Sequence, residues 1–74
     1  MEKYITDETL AKYRELLPYG SIKEIAYKVG VTPVAVGQFL KGKSKNFLIE
    51  REILKVIIEV QTERNKLLKQ AGLL

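Results

Sequence analysis

Apolar residues recur along this chain in four groups at helical spacing, with no strand pattern between them. Leu10, Tyr13 and Leu17 make the inward stripe of a helix expected over about residues 7–17. Ile25, Ala26 and Val29 predict a second helix over about 22–29, and Val36, Phe39 and Leu40 a third over about 33–41. The fourth pattern is longer, from about 47 to 70. At 100° per residue, Ile49, Ile53, Val56, Ile57, Val60, Leu67 and Ala71 share one stripe of it, and Phe47, Leu54, Ile58 and Leu68 share another. The fold class expected is all-α, a small bundle of about four helices with a long C-terminal helix.

Punctuation residues support these boundaries. Thr6 is placed to cap the first helix, with Ile5 and Leu10 as a hydrophobic staple, and Pro18 and Gly20 stop it. Ser21-Ile22-Lys23-Glu24 reads as a capping box, in which Ser21 accepts from the third helical N–H. Gly30 can take the positive φ that ends a helix, which a side chain makes costly. Thr32 caps the third helix with Pro33 at its first position, where a missing N–H costs nothing. Gly42 ends that helix, Asn46 caps the fourth, and Gly72 ends it.

A chain of 74 residues makes one domain, close to the size where a single core stabilises only marginally. At 46% hydrophobic and 30% charged its composition is that of a globular protein. No run approaches the roughly 20 apolar residues that span a bilayer. The opening residues lack a signal peptide's apolar core, and there is no cysteine, so a cytoplasmic location is the expectation. The net charge of +4 is unevenly spread. Between residues 20 and 46, Lys23, Lys28, Lys41, Lys43 and Lys45 face Glu24 alone, while the flanking segments nearly balance. A polyanion is attracted to such a segment, less so as salt rises; a solvated lysine-rich loop is the blander explanation.

That basic segment, SIKEIAYKVGVTPVAVGQFLKGKSK, resembles a helix-turn-helix DNA-reading unit. Ala26 is small where two helices would cross closely, Gly30 stands at the turn, and Val31 plugs the corner. The run from Ile22 to Ser44 is similar to members of the lambda-repressor-like superfamily, phage repressors and the headpieces of lactose-repressor-type regulators. The likeness covers roughly residues 7–60. A full helix before the motif matches the phage-repressor arrangement, and no inducer-binding domain follows, so no effector is carried over. The resemblance implies a helix lying in the major groove, with Thr32, Pro33, Val34, Gly37, Gln38 and Lys41 on its outward face. Gln38 would pair bidentately with adenine and Val34 would touch a thymine methyl. Lys41, Lys43, Lys45, Ser21 and Ser44 would hold phosphates, with Lys23 and Lys28 in the same role and the helix start at Ile22 adding its N–H groups. Tyr19 and Tyr27 are further candidates for a phosphate.

This recognition face lacks arginine, so the commonest guanine contact is missing from it. Gly37 costs about 1 kcal/mol in a helix interior, and is compatible with close approach to DNA or with packing on protein. A helix-turn-helix fold used as a protein-interaction adaptor, or as a non-specific DNA binder, therefore stands as the alternative. The fourth helix adds a partner of another kind. About 24 residues make roughly 36 Å of helix, more than a small core is wide. Leu54, Ile58, Leu67, Leu68, Leu73 and Leu74 are expected to meet a second copy in a homodimer, although Gln61–Lys66 interrupts the apolar pattern. Enzyme chemistry is not expected. Without histidine or cysteine the common nucleophile and metal constellations cannot be assembled, and no cofactor or metal site is foreseen. Glu50 and Glu52 point to different sides of a helix. Tyr4, Tyr13, Tyr19 and Tyr27 are read as core and rim.

Overall fold

The computed structural model describes residues 5–74, and Tyr4 lies outside them. The chain folds as four helices: α1 (Asp7–Leu16), α2 (Ser21–Val29), α3 (Pro33–Leu40) and α4 (Phe47–Gln70). The described residues contain no strand. One core joins all four. Leu10 and Tyr13 of α1, Ile25 and Ala26 of α2, and Val36, Phe39 and Leu40 of α3 close over Ile49, Ile53 and Ile57 of α4. Leu17, Val29, Val31 and Val56 pack half-buried around them, as does Ile5. Ala26 is buried in that core, and Val31 packs half-buried against it.

Most helix ends are set by the residues expected to set them. The Thr9 N–H donates to Thr6 Oγ1 at 3.2 Å, and the Ala35 N–H donates to Thr32 Oγ1 at 3.2 Å with Pro33 opening α3. Asn46 Oδ1 accepts from both the Leu48 and Ile49 N–H groups, at 3.0 and 3.2 Å. Gly30 takes φ 85° between α2 and α3, where the Gly30 and Val31 N–H groups both donate to the Ala26 carbonyl. Two ends depart from expectation. α1 stops at Leu16 because Pro18 holds the preceding Leu17 extended, at φ −74° and ψ 131°. The capping box on Ser21 does not form. Gly20, at φ 86°, is the residue before α2, so Ser21 is already helical and caps nothing. Its hydroxyl and its N–H both donate to the Pro18 carbonyl, at 2.7 and 3.2 Å, closing a tight turn over Pro18–Ser21.

α4 outruns the core. Ile49, Ile53 and Ile57 are buried, but the same stripe emerges into solvent at Val60 and Leu67. The molecule is accordingly elongated, 45 × 28 × 16 Å. The far end of α4 closes with the paired bonds of a glycine cap, Leu73 N–H to Leu68 carbonyl at 2.8 Å and Gly72 N–H to Lys69 carbonyl at 3.1 Å. That cap half-buries Leu68 and leaves Leu73 and Leu74 exposed.

Candidate nucleic-acid interface

The outward face of α3 is built by the way its inward face is filled. Val36, Phe39 and Leu40 enter the core, so Val34 and Gln38 turn to solvent on the other side, with Thr32, Pro33 and Lys41 exposed at the two ends. Val34 is 68% exposed, a large apolar side chain with no neighbour to cover it. Gly37 is half-buried, and a Cβ added there would meet nothing within 4 Å. The residues proposed to read bases therefore share one accessible surface, one helical turn apart.

The lysine loop continues from that surface. The Lys43 N–H donates to the Gln38 carbonyl at 3.0 Å and the Gly42 N–H to the Phe39 carbonyl at 2.9 Å, with Gly42 at φ 81°. These bonds fix how the chain leaves α3 and present Lys43, Ser44 and Lys45 to solvent. Gly42 passes close to α1, where a Cβ would lie 3.2 Å from Leu10 Cδ1. Ser44 and Lys45 share a cleft with Asp7 and Leu10, and Lys41 borders another with Asp7 and Arg14. A carboxylate thus stands inside the basic surface, which lowers its positive potential locally.

Three of the candidate phosphate ligands on α2 fare differently. Ser21 is buried, and its hydroxyl is turned onto Pro18, so it leaves the exposed set. Lys28 is exposed but pairs with Glu24 at 3.4 Å, which offsets part of its charge. Lys23 is exposed. What does approach α3 is the start of α2: Ser21 and Ile22 form one wall of a groove of about 420 Å³ whose other wall is Gly37, Leu40 and Lys41. Its lining is mostly apolar, with Leu17 and Tyr19 at the α1 end.

Arg14 is the residue that sequence patterning missed. It lies on α1, 26 positions before Leu40, yet its guanidinium donates to the Leu40 carbonyl at the end of α3. It caps a helix that ends with no basic residue of its own in the last turn. It also brings an arginine beside Lys41, on the border of the face that has none in its own sequence. Nothing local in the sequence signals such a long-range cap.

The remaining carboxylates of interest are engaged structurally. The Tyr13 hydroxyl donates to Glu50 Oε2 at 2.8 Å, tying α1 to α4, while Glu52 pairs with Lys55 at 3.4 Å and Arg51 at 3.8 Å. Among the described residues no group of three acidic, histidine or cysteine side chains converges as a metal site, and no helix is long and apolar enough to cross a membrane. Tyr19 and Tyr27 stand out in solvent, whereas Tyr13 is core. Comparison with protein-family models, with curated proteins and with solved structures gives no match to this chain.

Proposed function

We propose that this protein binds double-stranded DNA, with α3 lying in the major groove, and serves as a small transcriptional regulator of the repressor type. The single observation that carries the reading is the outward face of α3. A helix capped by Thr32 and Pro33 offers Val34 and Gln38 to solvent and runs directly into the exposed Lys41, Lys43 and Lys45. Gln38 reads a base edge, Val34 meets a thymine methyl, and the lysines with Ser44 hold phosphates. Two copies joined through the exposed end of α4 and the residues after it, Leu67 with Leu73 and Leu74, give the two-fold symmetry that paired half-sites require. Cytoplasmic DNA is the partner this reading assigns.

The test is a titration of duplex DNA against the protein across a salt series. Binding whose logarithm falls linearly with the logarithm of salt supports the reading. A second reading has its own support in the apolar groove beside Gly37, which suits a peptide side chain better than a phosphate. Absence of duplex binding at low salt selects that adaptor reading and discards the first.

A further inference from the structure

The stripe that buries Ile53 continues along α4 beyond the bundle, at intervals of seven residues, as Val60 and Leu67. Val60 is 37% and Leu67 56% exposed. A seven-residue apolar repeat is the seam of a helix that packs along another helix. Leu54 and Ile58 lie on the other side of α4 and do not extend it. Beside the seam, Val56, Val60 and Pro18 floor a cavity of about 270 Å³ rimmed by Glu24, Glu59 and Glu63, with the wholly exposed Tyr19 at its edge. Glu24 has Lys28 as its partner, but among the described residues no ion pair involves Glu59 or Glu63. These two carboxylates are four apart on one helix, where like charges repel. The three glutamates do not converge tightly enough to hold a metal ion. The surface asks for a long apolar and basic occupant.

The chain carries that occupant itself. Just past Glu63 come Arg64 and Lys66, then the exposed Leu67, Leu73 and Leu74. We propose that two copies pair by laying the C-terminal halves of α4 antiparallel, about a two-fold axis between Glu63 and Arg64. Rotation about that axis sets Val60 against Leu67 of the second copy and Val56 against its Ala71, a residue small enough to leave the cavity floor filled rather than overpacked. On one flank of the seam it brings Lys66 of the second copy between Glu59 and Glu63. Each contact is made twice, so one acidic cavity and one basic tail per chain satisfy each other. The pairing deepens the dimer of the proposed function by naming its face and direction, and it stands without DNA.

The experiment is a charge exchange read as mass in solution, by sedimentation equilibrium on the full chain with no nucleic acid present. E59K/E63K makes cavity and tail both basic, and R64E/K66E makes both acidic. The wild-type chain is expected to be a dimer, and each variant alone to dissociate at least about tenfold more readily, because like charges now face each other. A mixture of the two variants restores both complementary contacts and is expected to return to dimer mass. That recovery also shows that both variants fold. Leu67→Asn is expected to weaken wild type and mixture alike. A monomeric wild type, a variant that dimerises as well as wild type, or a mixture that stays monomeric overturns the pairing. DNA binding is scored separately on the same samples. Its loss with the mass results intact would sink the nucleic-acid reading alone.

Discussion

At the scale of single residues, the two glycines around the motif have opposite requirements, and substitution distinguishes them. Gly30 holds φ 85°, so Gly30→Ala forces a side chain into the left-handed region and is expected to cost about 1–2 kcal/mol of stability although nothing blocks its Cβ. Gly37 is helical and open around its Cβ, so Gly37→Ala is expected to stabilise by about 0.5–1 kcal/mol. Urea unfolding of both variants checks the pair, and equal signs would contradict the account. On the DNA side, Gln38→Ala is expected to cost about 1–3 kcal/mol at a preferred site and relax preference at one base pair. Competition between duplexes that differ at single positions measures it.

What was legible in the sequence at this scale was local. Thr32, Asn46 and Gly30 act on groups within four residues of themselves, so the residue type and its position relative to an apolar stripe fix the role. Ser21 failed because the residue before it, Gly20, takes the boundary instead and moves the helix start by one position. Arg14 on Leu40 and Tyr13 on Glu50 join residues 26 and 37 positions apart. Such pairs depend on how helices cross, and no pattern within one helix encodes that crossing.

At the scale of elements, the proposed binding divides its labour between α3 and the loop after it. The helix is held by its inward side chains and by Arg14, so its outward face is a fixed scaffold. The loop is anchored at Gly42 against Leu10 and leaves its lysines exposed. Lys43→Ala is therefore expected to weaken binding to all duplexes about equally and to lower the salt slope by about one unit, with stability within about 0.5 kcal/mol of wild type. A salt titration beside a thermal melt reads both. The position of Asp7 against this loop was not legible, since its place in the first turn of α1 already accounts for a negative charge by the helix dipole. Asp7→Asn removes the opposing carboxylate and is expected to tighten non-specific duplex binding at low salt.

At the scale of the whole molecule, the elongated shape follows from a helix that is longer than the core it serves. Ile49, Ile53 and Ile57 are the α4 residues buried in the core, and the stripe beyond them is exposed; the proposed pairing is what would cover it. That excess was legible from helix length alone; which stripe enters the core was not, because the two apolar stripes of α4 look alike until α1 and α2 cover one of them. The proposed dimer would also answer the weakness of the proposed recognition face. One α3 with a single amide and a valine discriminates modestly, whereas two faces on one duplex multiply their preferences.

The central claim is that α3 reads sequence in duplex DNA as one half of a symmetric pair. Selection from a random duplex pool, with the enriched molecules then titrated across salt, tests it most directly. The account predicts an enriched site with two-fold symmetry, half-sites about one helical turn apart, and a steep fall in affinity with salt. A pool that stays random after repeated rounds, or binding indifferent to salt, would contradict it.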